Sequence, residues 1–274
     1  MILADPVLQS VLLGILQGLT EFLPISSSAH LLLLPWLLGW KPMGLVFDVL
    51  LHGGTLLALL IYFRSQVKTL ARQSVGRFTR RNARVENGPD LSLPILVGTA
   101  PLILVGGLFH GLIEKNLRQP ALTMMTLCLF GILLWWADRR GSRNRLLARI
   151  RPFDGFIIGL SQSLALMPGV SRSGITITAA LFLGFSRVDS ARFSFLLAIP
   201  AIALATLAEL FELIQTGPGA NATLLTFVLG IVFSFGSGLL CLKYLLRFLE
   251  SRSFSPFAAY RVLLSAFAFW WLLR

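Results

Sequence analysis

Long apolar runs alternate with short polar ones along this chain, and the lengths of the runs predict its architecture. Apolar stretches at about 44–63, 93–112, 120–138, 191–213, 223–247 and 256–273 each suit a helix that crosses a bilayer, which takes roughly 20 residues. Two further apolar stretches are interrupted. The first runs over 7–23, stops at Pro24 and resumes over 29–39. That second piece is roughly 16 Å long as a helix, about half of the ~30 Å hydrocarbon core. Residues 155–185 are broken in the same way around Pro168–Ser173. A proline disfavours αR backbone in the residue before it and cannot donate to a helix ladder. The serines that follow each proline are good helix N-caps. Each interrupted stretch is therefore expected to enter the membrane, turn at its break and leave by the same face. The expected fold is an all-α polytopic membrane protein with six transmembrane helices plus two re-entrant helix-loop-helix elements.

The two halves of the chain match. Gly14, Gln17 and Pro24 correspond to Gly159, Gln162 and Pro168, the last with one residue of slippage. Phe47-Asp-Val-Leu-Leu lines up with Phe193-Ser-Phe-Leu-Leu. Residues 1–274 are read as a single integral membrane domain, with repeat one at about 1–138 and repeat two at about 139–274. Three spans separate the interrupted elements, so the two enter from opposite faces, as in an inverted-topology repeat.

Composition and charge sharpen this picture. Hydrophobic residues make up 55% of the 274 and charged residues 13%, with a mean hydropathy of +0.78. Soluble domains carry about 25% charged residues. A net charge of +12 would suit nucleic acid, but the cations cluster in short loops between apolar runs, which is membrane patterning and excludes that partner. The segment 64–92, read as a polar loop, carries Arg64, Lys68, Arg72, Arg77, Arg80, Arg81 and Arg84. A second basic loop, 139–152, carries Arg139, Arg140, Arg143, Arg145, Arg149 and Arg151. Arg187, Arg192, Lys243, Arg247 and Arg252 fall on the same side, leaving Lys41, Lys115, Arg118 and Arg274 for the other. The positive-inside rule puts the basic loops in the cytoplasm, so the first interrupted element enters from outside. The N-terminus has neither a basic leader region nor an A-x-A-like cleavage site, so no cleaved signal peptide is expected. Cys128 and Cys241 lie in apolar spans and are expected to be reduced and packed.

Candidate chemistry gathers at the two breaks. Gln17 and Glu21 share a helix face and precede Ser26, Ser27, Ser28 and His30. The second break gathers Gly169, Ser171, Arg172, Ser173 and Thr176. Arg172 and Arg261 are the two cations left inside the membrane. Arg261 lies near the cytoplasmic start of its span and is expected to snorkel to water. Arg172 lies at a break, where a charge costs at least ~3 kcal/mol unless it faces a polar cavity and a partner. Pairing with Glu21 merely to lock the halves together would leave the surrounding hydroxyls unexplained. If the repeats interlock, two helix N-termini meet near mid-membrane beside the Arg172 fork. That suits an anion with several oxygens, such as phosphate or diphosphate. Glu21, Gln17 and the anion's own oxygens could hold a hard divalent cation, Mg2+ or Ca2+. His52 and His110 are read as structural.

These motifs resemble a known family. Pro168-Gly-Val-Ser-Arg-Ser-Gly-Ile-Thr176 matches the P-G-x-S-R-S-x-x-T motif of the undecaprenyl-diphosphate phosphatases, the bacitracin-resistance phosphatases. Gln17-x-x-x-Glu21 matches that family's (E/Q)-x-x-x-E motif, and Phe22-Leu-Pro-Ile-Ser-Ser-Ser-Ala-His30 is similar to its F-L-P-x-S-S-T-G-H segment. The similarity runs the full length and includes Ser253-Phe-Ser-Pro-Phe-Ala-Ala-Tyr-Arg261. It implies hydrolysis of a C55 polyprenyl diphosphate to its monophosphate, recycling the lipid carrier of cell-wall synthesis. It also implies a bacterial inner-membrane location and a site open to the outer face. Gln17 stands where many members carry Glu, which weakens a metal site of two carboxylates. Ser28 and Ala29 replace Thr and Gly.

The mechanism expected has Ser27 as nucleophile, with His30 as its base or as acid toward the leaving group. Arg172 and the helix N-termini would stabilise the transferred phosphoryl group. Glu21 with Gln17 would bind the metal or orient His30. Ser26, Ser28, Ser171, Ser173, Thr176 and Gly169 would surround the phosphate oxygens. Attack by a metal-bound water is the rival within this scheme. The competing function is a polyprenyl-phosphate lipid transporter or flippase using the same anion site; a third is a non-catalytic lipid-binding subunit. Expected partners are the polyprenyl diphosphate and membrane lipids, and a homodimer is left open.

Overall fold

A computed structural model describes residues 5–41, 43–78, 89–116, 119–216 and 223–274. The described residues are all-α, with eleven α-helices and no β-strand. In chain order they are α1 (Pro6–Phe22), α2 (Ser27–Leu38), α3 (Leu45–Tyr62), α4 (Arg64–Phe78), α5 (Ser92–Asn116), α6 (Pro120–Arg140), α7 (Pro152–Gln162), α8 (Arg172–Phe182), α9 (Arg187–Thr216), α10 (Leu224–Leu249) and α11 (Ser255–Leu272). Helices α6 and α10, and Arg187–Ala208 within α9, are long and apolar enough to cross a membrane. The pair α3–α4 also passes if taken as one bent span.

The breaks form where proline and serine place them. Helix α1 stops at Phe22 because Leu23, ahead of Pro24, is extended (ψ 136°). Helix α2 starts at Ser27 under a Ser26 cap and ends at Gly39 in the left-handed conformation (φ 64°), the usual helix C-terminal geometry. The second element differs in its winding. Helix α7 ends at Gln162 and continues as a 3-10 turn, Ser163–Leu166, before Pro168. Helix α8 then starts at Arg172 under a Ser171 cap.

One expectation needs correction. The basic segment beginning at residue 64 is not a loop at its start. It folds as α4, bent 86° from α3, with Val67 and Leu70 turned toward the apolar core. Arg64, Lys68 and Arg72 are exposed. This division into one apolar and one basic face suits a helix lying along a membrane surface. Arg80, Arg81 and Arg84 lie outside the described residues.

The interrupted elements each pack on a helix of the other half. Helix α1 lies against α10 and α7 against α5. Both approaches need glycine. A Cβ at Gly14 would collide with the carbonyl oxygen of Gly230, and one at Gly159 with that of Gly98. Close backbone approach of this kind lets helices associate in lipid, where apolar burial gives no preference for protein over solvent. Phe22, the last residue of α1, is buried edge-on against Phe195 of α9, with ring centroids 5.5 Å apart. The first break is thereby anchored on an apolar floor. Cys128 and Cys241 are free thiols, as expected.

Candidate active site

Glu21 is the hub. One of its oxygens, Oε1, accepts from Arg172 Nη2. The other, Oε2, accepts from Gln17 Nε2 at 2.9 Å and from Ser27 Oγ at 2.6 Å. His52 Nε2 lies 3.3 Å from the same oxygen. These side chains come from four places: the last turns of α1, the first residue of α2, the middle of α3 and the first residue of α8. A buried carboxylate needs this many donors to offset its lost hydration.

His52 is a site residue that sequence reasoning placed among the structural histidines. Its ring Nδ1 is 2.9 Å from the Asp48 carbonyl oxygen. A carbonyl only accepts, so Nδ1 carries the hydrogen; Nε2 can also donate to Glu21 only if the ring is doubly protonated. One signal could have found it. Asp48 and His52 stand four apart on an otherwise apolar helix, so two polar groups share one face. The side chain of His110 lies outside the described residues.

The two helix starts have the same construction. Ser26 and Ser171 both take positive φ, 75° and 70°. Each caps its helix through Oγ, accepting from Ala29 N–H and Gly174 N–H respectively. The same Oγ lies 3.2 Å from Ser28 Oγ in the first case and 3.3 Å from Ser173 Oγ in the second. Positive φ is costly for a residue with a side chain and is a hallmark of functional sites. Ser27 and Arg172 thus occupy the same place, the first residue of a helix. First-turn N–H groups have no helical carbonyl to bond, so both starts present free donors and the positive end of a dipole. Ser27, Ser28, His52 and Arg172 are half-buried, whereas Glu21 and Gln17 lie buried behind them. An anion reaching the centre therefore meets the serines and the guanidinium first.

Several predicted residues serve the scaffold around this centre. His30 does not bond to Ser27. Its Nδ1 is 2.7 Å from the Ser26 carbonyl oxygen and its Nε2 is 2.7 Å from the Tyr260 hydroxyl. The His30 and Tyr260 rings stack nearly parallel. Ser173 Oγ donates to the Leu23 carbonyl at 3.3 Å, linking break to break. Thr176 Oγ1 bonds the Arg172 carbonyl at 2.8 Å and lies 2.6 Å from Ser194 Oγ. Arg172 Nη1 donates to the Ala198 carbonyl at 3.2 Å, so two of its five N–H groups are engaged and the rest have no partner among the described residues.

Arg261 corrects a second expectation. It does not snorkel; it is fully buried. Its Nη1 donates to the Pro24 carbonyl at 3.2 Å, and its Nη2 to the Gly169 and Val170 carbonyls, both at 2.9 Å. Its Nε donates to the Leu127 carbonyl of α6 at 3.1 Å. One guanidinium from α11 thus fastens both breaks to each other and to α6. A planar fork can satisfy carbonyls in several directions at once, which an ammonium cannot. Gly174 makes room for it, because a Cβ there would collide with Nη1.

Among the described residues no group of three His, Cys, Asp or Glu side chains is placed to hold a metal ion. The hub supplies one carboxylate, and Gln17 Oε1 is buried with no partner among the described residues. Those oxygens fit a hard cation that completes its shell with phosphate oxygens and water.

A family profile described as "Bacitracin resistance protein BacA" matches residues 10–267. The chain belongs to this family. An undecaprenyl-diphosphatase of Pelobacter propionicus is 47% identical over 93% of this chain and 93% of its own. Those of Moorella thermoacetica and Chromohalobacter salexigens are 44% and 45% identical, covering 98% and 97% of this chain and 99% and 98% of theirs. Such coverage means the family likeness includes both breaks and the α11 segment that fastens them.

Proposed function

We propose that the protein hydrolyses undecaprenyl diphosphate to undecaprenyl phosphate and inorganic phosphate, recycling the lipid carrier of cell-wall synthesis and so conferring resistance to bacitracin. The observation that carries this reading is Ser27 Oγ at 2.6 Å from a carboxylate, at a helix start that shares Glu21 with Arg172. The relatives' activity points the same way.

Ser27 Oγ attacks the terminal phosphorus and its proton passes to Glu21. The phosphoanhydride P–O bond breaks, and the lipid monophosphate leaves. A water then attacks the phosphoserine, the Oγ–P bond breaks, inorganic phosphate leaves, and the proton returns to Ser27. Arg172 and the two helix starts stabilise charge on the transferred phosphoryl group. Glu21 is assigned as the proton acceptor because it lies 2.6 Å from Ser27 Oγ and both ring nitrogens of His30 are engaged elsewhere. His30 holds the strained Ser26 in place. Glu21 and Gln17 would hold a divalent cation, which supplies further charge neutralisation on the diphosphate.

In this reading the chain has six spans and two re-entrant elements arranged as an inverted repeat. The matched caps at Ser26 and Ser171 and the matched glycine contacts at Gly14 and Gly159 support it. The basic loops face the cytoplasm of a bacterial cell, and the centre opens outward.

The test is phosphate release by purified, detergent-solubilised protein from a C55 polyprenyl diphosphate, with and without EDTA. Rapid acid quench should trap phosphate on Ser27, and Ser27→Ala should abolish both. No trapped phosphoserine, with Ser27→Ala still partly active, would leave water as the nucleophile. No release at all from folded protein would favour lipid transport.

A further inference from the structure

The corner between α3 and α4 leaves a polar cavity of about 510 Å³. It lies at the end of the molecule that carries the basic segments. Tyr62 on its wall is ten residues beyond His52, roughly 15 Å along α3. Arg192 of α9 and Lys243 and Arg247 of α10 line it. Lys243 and Arg247 are one turn apart and share a face. Ser65 and Gln66, in the first turn of α4, line the same cavity and bring the positive end of that helix to it. Glu250 is its single acid.

None of these three cations forms an ion pair with a described carboxylate. Their neighbours among the basic segments behave differently. Arg145 pairs with Asp154 at 2.7 Å and Arg187 with Asp138 at 2.6 Å. Acids are thus paired where the fold needs a fastening, whereas the one acid lining this cavity, Glu250, forms no ion pair with its three cations. The surroundings identify the occupant. Exposed Leu57 and Ile61 lead along α3 to the cavity, and α4, with its basic outer face, turns off beside it. A headgroup seated here would have its acyl chains against apolar protein.

We propose that this cavity binds the phosphate headgroup of an anionic membrane lipid, at a site separate from the Glu21–Arg172 centre. The proposal rests on the membrane setting and not on the phosphatase reading.

The test uses the full-length protein in a neutral detergent. Phosphatidylglycerol, phosphatidylcholine and inorganic phosphate are each titrated, with binding read by native mass spectrometry and by thermal shift. The wild type should take up phosphatidylglycerol saturably and melt at a higher temperature, and should show neither response to phosphatidylcholine. Each cation near a membrane surface is worth about fivefold in binding, so Lys243→Gln with Arg247→Gln should weaken uptake roughly 25-fold. Phosphate release from polyprenyl diphosphate in the same detergent should be unchanged in that variant, which separates failure of this site from failure of the reaction. Should the pair of substitutions prevent folding, Arg192→Gln alone is read for its fivefold loss. Equal uptake of the two phospholipids, or equal binding by variant and wild type, would overturn the proposal. A stabilisation reproduced in full by inorganic phosphate would overturn its assignment to a lipid.

Discussion

The two breaks share a frame but differ in cargo. Each has a buried glutamine, a proline, a serine cap at positive φ and a helix whose first residue faces the centre. In the first, Gln17 is followed four residues later by Glu21 and bonds to it. In the second, Gln162 is followed four residues later by Leu166, and neither polar atom of its amide has a partner among the described residues. The helix starts differ as well, one presenting a hydroxyl from Ser27 and the other a guanidinium from Arg172. The frame that the two breaks share is thus divided, one break carrying the carboxylate and a hydroxyl and the other the cation. Gln162 keeps the place of Gln17 without its bonding partner. Even the slipped residue between Gln162 and Pro168 is absorbed by the fold. Five α-helical residues from Gln17 to Phe22 rise about 7.5 Å, while four 3-10 residues from Gln162 to Leu166 rise about 8 Å.

Substitutions can break this comparison, and the largest effect is expected at the cation. Arg172→Ala should lower kcat/KM for polyprenyl diphosphate by at least about 10³-fold, the scale of an arginine acting on a transferring phosphoryl group. Arg172→Lys should recover little, because an ammonium cannot bond Glu21 and Ala198 and still present a fork. A mutant within tenfold of wild type would reduce Arg172 to a fastening between halves.

Arg261→Met comes next. It strands the carbonyls of Pro24, Gly169 and Val170 at about 1–3 kcal/mol for each unsatisfied group, so the detergent melting temperature should fall sharply. Activity should drop about 100-fold even in the protein that remains folded. Unchanged melting would show that the breaks hold without it.

His52→Leu removes one donor to the carboxylate, worth about 1.5–3 kcal/mol for a charged acceptor. A loss of tenfold or more in kcat/KM is expected, with His52→Gln recovering part of it. The smallest effect sharpens the comparison most. Gln162→Leu should leave phosphate release unchanged and melting equal or higher, because an unpaired buried amide costs more than it returns. Gln17→Leu should lower activity. Equal losses at both positions would mean the second glutamine has a role in the reaction after all.

Much of this was readable from residue order, and what was not has a common cause. The all-helical, apolar character was legible because lipid demands apolar helices. Among the described residues, though, three helices, or four with the bent α3–α4 pair, are long and apolar enough to cross, against the six expected. The breaks were legible because Pro24 and Pro168 interrupt otherwise helical runs. Glu21, Ser27 and Arg172 stood out as polar groups in apolar surroundings. His52 did not, because its role depends on which way α3 is rotated against α1. Arg261 was misjudged because its distance along α11 suggested water within reach, whereas the helix carries it between the breaks. His30 is three residues after Ser27 and seemed its natural partner, yet Tyr260, 230 residues away, takes that nitrogen. The bend at Phe63 left no sign in a basic segment that reads equally well as a loop. Linear order reveals which residues are out of place in lipid, but not which distant helix meets them.

The position of Arg261 also orders events during synthesis. Every group in the hub is contributed by residues 17 to 172, yet the guanidinium that fastens the two turns is made about ninety residues later. A chain still being made can carry all its reactive side chains into the bilayer without a competent centre. Activity is therefore expected only after residue 261 has been made and packed between the turns.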